Sequence, residues 1–220
     1  MDVNADFKRR VVMHGESLPW EPSPMAGVDR RRLDRVDGEN DRVTTIVRYA
    51  PGSHFSSHTH GGGEEFIVLE GVFEDDYGDW PAGSYIRNPP QSSHTPGSKP
   101  GCTIFVKLWQ FAPDDRTFVH ANRFKLGQVA ERDRNGVKVS TLFEDDRETV
   151  QFEHWSANAA VTVDASGGTE VLLLEGTAIE GEDSLARLSW LRAPVGSSLN
   201  FTAGAEGAVV WVKRGHLRYV

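Results

Sequence analysis

His58, His60, Glu64 and His94 are four side chains of the kind that bind transition metals, spaced so that one ion could take all of them. His58 and His60 stand two apart, so on a β-strand both imidazoles point to the same face. Glu64 follows directly on the Gly61-Gly62-Gly63 turn, and His94 must return from elsewhere in the fold, as side chains do in the mouth of a β-barrel. The expectation is one divalent transition metal per chain, and imidazole and carboxylate suit zinc, iron, manganese, nickel or copper alike. Zinc held by all four groups would be closed, hence structural or sensory. Octahedral iron or manganese on the same ligands would keep two positions open for substrate or dioxygen. His54 shares the strand parity of the ligands and is expected at the rim or exposed. Serine nucleophiles, phosphate-binding loops and paired acids for glycoside hydrolysis have no supporting spacing, and the glycine run opens a strand rather than a helix.

The elements that must position these groups are strands. Apolar runs are short, rich in Val, Ile, Phe and Trp, and punctuated by Gly, Pro, Asn and Asp, so strands are expected at 43–49, 66–69, 84–87, 103–111, 149–155, 170–174, 187–191 and 208–213. No amphipathic helical segment of useful length competes with them, which points to an all-β barrel or sandwich. The 220 residues carry a net charge of −8, which argues against nucleic-acid binding. The run Arg30-Arg31-Arg32 reads as a solvated turn or a set of ion-pair donors. No apolar run approaches the ~20 residues that cross a bilayer, and the first residues do not read as a signal sequence, so a cytoplasmic location without membrane association is expected. Cys102, the single cysteine, precedes an apolar run and reads as a buried, inert thiol.

A shift of 105 positions superimposes the two halves: Gly62 on Gly167, Gly63 on Gly168, Glu65 on Glu170, Gly71 on Gly176, Arg87 on Arg192 and Pro89 on Pro194. Two similar β-domains follow, 1–113 and 114–220, the second a packing partner for the first. The same shift carries His58 to Val163, His60 to Ala165, Glu64 to Thr169 and His94 to Leu199, so all four candidate ligands vanish together from a repeated scaffold. It also separates two adjacent acids, because Glu65 is matched by Glu170 and reads as structural, whereas Glu64 is unmatched and reads as the ligand. Tyr85 and Arg87 are matched by Trp190 and Arg192, which assigns them to packing and ion pairing. His14, His120, His154 and His216 have no such context and read as surface or capping residues.

The spacing Gly52, His58, His60, Glu64, Gly71 resembles the first motif of the cupin superfamily, and Gly83, Pro89, Gln91, His94, Ser98 resembles the second, with Gln91 where the family has Gly and Ser98 where it has Asn. Phrases such as Tyr49-Ala50-Pro51-Gly52-Ser53 and Gly62-Gly63-Glu64-Glu65-Phe66 are similar more closely to the cupin-like domain of ChrR-type anti-sigma factors, over residues 20–111 and more weakly in the second half. The resemblance implies a bicupin: two tandem RmlC-like jelly-roll β-barrels, the first binding metal and the second degenerate. In that family the matching His, His, Glu and His bind zinc, and the regulators act against a sigma factor in response to singlet oxygen. The separate zinc domain that contacts the sigma factor has a His-x3-Cys-x2-Cys signature, which this chain lacks, so direct sigma binding is not expected. The resemblance therefore implies a small-ligand-binding or stress-sensing regulatory protein, able to form a homodimer. The alternative is an iron-dependent cupin dioxygenase acting on a small diketone.

Overall fold

The computed structural model describes residues 1–38 and 41–220, and among them there is no α-helix. The chain divides into two compact units, one of Met1–Ala5 with Pro19–Lys125, the other of Asp6–Leu18 with Leu126–Val220. This division departs from a cut between 113 and 114 in two places. The strand Val11–His14 lies in the second unit, antiparallel to Ser189–Ala193, and Val119–Asn122 lies in the first, antiparallel to Ser84–Asn88. Each unit thus draws one edge strand from sequence outside its own half of the repeat.

In the first unit the sheet runs, in order of pairing, Val119–Asn122, Ser84–Asn88, Glu64–Asp75, Cys102–Leu108, Arg42–Tyr49, Val28–Val36 and Glu21–Pro22. Alternation along the strands sends Val47, Phe66, Val68, Ile104 and Val106 into one buried cluster. The opposite face carries a buried polar row in which Glu65 stands between Lys107 and Arg87 on the neighbouring strands. Tyr85 donates its hydroxyl to Glu65 at 2.7 Å, and Arg87 pairs with Asp115 at 2.9 Å, which satisfies groups that would otherwise be costly to bury.

The second unit repeats this order with Val11–His14, Ser189–Ala193, Thr169–Glu180, Ser197–Arg214, Thr149–Trp155, Val137–Glu144 and Val129–Ala130. Its polar row is the same, with Glu170 between Lys213 and Arg192, and Trp190 donating to Glu170 at 3.0 Å in place of the tyrosine. His216 belongs to this row. Expected on the surface, it is buried, with Nε2 2.9 Å from Glu170 Oε1, because the chain end brings it back over the sheet.

Two further expectations are corrected. The strand read as 103–111 ends at Leu108, where Trp109 turns the chain at φ +59°. Arg30, Arg31 and Arg32, read as a solvated turn or ion-pair donors, are not in a turn but in the strand Val28–Val36, where Arg32 does pair with Glu21.

Candidate metal centre

Two short strands, His58–Thr59 and Ser93–His94, pair antiparallel with His94 directly opposite His58. His60 extends this pairing, its amide donating to Ser92 O at 2.9 Å and its carbonyl accepting from Gln91 at 2.8 Å. Gln91 closes the turn at φ +71°, the left-handed conformation for which the cupin pattern uses Gly, so the turn survives the replacement. Glu64 opens the long strand that follows the glycine run. A Cβ added at Gly62 would stand 2.2 Å from the Trp109 ring, so the absence of a side chain lets Trp109 close over this turn.

The three imidazoles converge. Their ring centroids are 4.7 to 5.0 Å apart, the rings lie at 71° to 78° to one another, and one nitrogen from each falls within 4.8 Å of the others. Glu64 Oε2 joins them, 3.5 Å from His60 Nε2 and 3.6 Å from His94 Nε2. These separations match the ~3.4 Å expected between two donors each ~2.1 Å from one tetrahedral ion. The sharpest sign is His60 Nε2, which is buried and has no hydrogen-bond partner among the described residues. A polar atom in that state costs free energy unless something else satisfies it.

Protonation supports the same reading. Burial, then the neighbouring His94 and His58, pull His60 down to about 3, so its ring is neutral and offers a lone pair. His58 is lowered for the same reasons, and its Nδ1 donates to Ser56 O at 3.4 Å, which leaves Nε2 for the cluster. Burial alone would lower His94, but its hydrogen bond to Asp75 and the charge of Glu64 outweigh this and raise it. Glu64 is raised chiefly by burial, against the pull of His94 and of Asn88, whose amide donates to it at 3.5 Å.

Asp75 and Asn88 complete the site and escaped the reading of the sequence. Asp75 Oδ2 accepts from His94 Nδ1 at 3.1 Å, while its other oxygen accepts from the Trp80 indole and the Tyr77 amide, both at 2.9 Å. A carboxylate behind a ligating histidine fixes the tautomer and aims the free nitrogen. Asp75 begins a sequence that reads as a turn, Asp75-Asp76-Tyr77-Gly78, and the turn role hides the other. His54 is exposed, paired with Gly97. Cys102 is buried, its thiol pushed up to about 11 by that burial, which keeps it inert.

The centre lies at the wall of a cavity of about 360 Å³, lined by His58, His60 and Glu64, by apolar groups including Val47, Phe55, Ile104 and Val106, and by Arg30, Arg32 and Arg35. In the second unit the equivalent positions are filled. Val163 pairs with Leu199 as His58 does with His94, and both, with Ala165, are buried in an apolar core.

An all-β chain of two such barrels is a bicupin. The family model described as the ChrR Cupin-like domain matches residues 8–112. No curated protein matches the chain. Among solved structures, a candidate dioxygenase from Nostoc punctiforme is similar over 97% of this chain and 85% of its own, with a TM-score of 0.79 at 14% identity. A bacterial pirin from Escherichia coli, solved with nickel(II), is similar over 94% of this chain and 99% of its own, with a TM-score of 0.67 at 13% identity. Lactobacillus farciminis oxalate decarboxylase, in a formate complex, is similar over 92% of this chain and 85% of its own, with a TM-score of 0.65 at 9% identity. At these identities the likeness establishes the fold.

Proposed function

We propose that the first cupin binds one divalent transition metal through His58, His60, Glu64 and His94, and that the adjoining cavity receives a small molecule whose binding the protein reports in a sensing or regulatory role. The observation that carries the metal is the buried, unpartnered Nε2 of His60 at the focus of three imidazoles and a carboxylate. Neutral His58 and His60 present lone pairs, Asp75 holds His94 in the matching tautomer, and Asn88 orients Glu64. When bound, the metal would supply a Lewis-acidic point at the cavity wall. The regulatory reading rests on the match of residues 8–112 to the ChrR Cupin-like family model, with zinc as the ion and no direct sigma-factor contact.

Elemental analysis of the full chain, purified without added metal, tests this. One equivalent of metal is expected in the parent protein and none in His94→Ala, with both folded by circular dichroism. Equal metal content in the two would remove His94 from the site. A second reading, an iron-dependent dioxygenase of a small diketone, is favoured by the overall likeness to the Nostoc structure. It requires bound iron and oxygen uptake with pentane-2,4-dione; stoichiometric zinc without oxygen uptake would exclude it.

A further inference from the structure

The strand Val28–Val36 carries arginines at 30, 32 and 35, a spacing that regular alternation would split between two faces. A bulge reunites them. Arg30 pairs with Val47, Arg32 with Thr45 and, after a register shift between Arg32 and Asp34, Arg35 with Val43, so all three share the face of residues 43, 45 and 47. That face lines the cavity beside the histidines. Arg31 points the other way, over the Trp20 ring.

Two of these cations are matched by carboxylates: Arg32 pairs with Glu21, and Arg35 with Asp37 and with Asp41, the one acid besides Glu64 at the cavity wall among the described residues. Arg30 has no ion-pair partner among the described residues, and its buried Nε lacks a hydrogen-bond partner. Burial opposes its charge most, and the neighbouring Arg32 and Arg35 oppose it too, against a favourable influence of Tyr49. A guanidinium kept in this position costs stability that an anion would return. Planar, forked donors suit a carboxylate, and the remaining wall of Val47, Phe55, Ile104 and Val106 suits a hydrocarbon body.

We propose that the cavity takes a small organic carboxylate, its anionic end on Arg30 in the field of Arg32 and Arg35 and its apolar body against Val47, Ile104 and Val106. This rests on reading the cavity as a small-ligand site and names the ligand class.

Isothermal titration of the full chain with hexanoate, and with hexanamide as its uncharged counterpart, tests the assignment, with metal content measured on the same samples. Hexanoate is expected to bind at least tenfold more tightly than hexanamide. Arg30→Gln should lose at least tenfold for hexanoate and less than twofold for hexanamide. Arg48→Gln, on an arginine that pairs with Asp29 outside the cavity, should leave both unchanged. Equal affinities for the two probes in the parent protein would overturn the proposal, as would an Arg30→Gln variant with unchanged hexanoate affinity, or inorganic phosphate binding more tightly than hexanoate. Arg30-dependent hexanoate binding to a protein that holds no metal would uphold the carboxylate site while removing the metal reading. Stoichiometric metal without discrimination between the probes would do the reverse.

Discussion

His94 is held from two sides, by Asp75 at Nδ1 and by the charge of Glu64 3.6 Å from Nε2, so its orientation depends on a residue that touches no metal. Asp75→Asn keeps the shape and an oxygen that can accept from Nδ1, but removes the charge that makes the ring a better donor. Metal affinity is expected to fall about 10- to 100-fold with stoichiometry preserved, read by competition against a chromogenic chelator. An unchanged affinity would reduce Asp75 to a turn residue. The four residues brought together here were legible because metal donors are few in kind and because the repeat erases them as a set. Asp75 and Asn88 were not, since carboxylates and amides have many uses and Asp75 already has one, accepting from the backbone of its own turn. The same limit hid Arg30. A basic run is ordinarily solvated, and only the pairing of Val28–Val36 with Arg42–Tyr49 shows which of its members face inward.

Strands in the two units differ where the centre stands. The second unit has a continuous strand, Ser197–Arg214, paired over six positions with Ala160–Ala165. The first has Ser93–His94, Gly97–Ser98 and Cys102–Leu108 in its place, interrupted by Pro96 and Pro100, whose counterparts at the 105-residue shift are Phe201 and Ala205. Proline cannot donate to a ladder, so the strand breaks and the sheet edge gives way to a mouth where the histidines gather. In the second unit the unbroken ladder closes over Val163, Leu199 and Phe201, all buried. Leu199→His therefore places one imidazole opposite Val163 with no companions. The unpaired polar group should destabilise the protein by about 2 kcal/mol or more, measured by urea unfolding, without adding a metal equivalent. A second equivalent of metal would show that the scaffold alone suffices to build a centre. Alternation and turn residues made most strands readable from the sequence. The bulge at Arg32 was not, because a register shift is set by the partner strand rather than by local composition.

At the scale of the whole molecule, the repeat correctly implies two barrels of the same strand order, yet it does not say which segment completes which barrel. Residues 6–18 lie in the first half of the sequence and are built into the second unit. Val12 packs on the second unit's core, Arg192 donates to Asp6 O at 3.0 Å, and the Phe7 ring lies 4.1 Å from the Arg192 guanidinium. Self-similarity in sequence is blind to such an exchange, since an edge strand of either barrel meets the same kind of partner. The exchange means that damage near the start of the chain should be felt far along it. Val12→Asp sets a charge against an apolar cluster and breaks the seat of the strand Val11–His14, at a cost of about 2 kcal/mol from lost apolar burial alone. Hydrogen exchange followed by mass spectrometry should then show faster exchange in Ser189–Ala193, whose amides and carbonyls face that strand, and unchanged protection in Glu64–Asp75, with the metal equivalent retained. Weakened protection in Glu64–Asp75 with Ser189–Ala193 unaffected would return residues 6–18 to the first unit. It would also restore a boundary at 113 as the physical one.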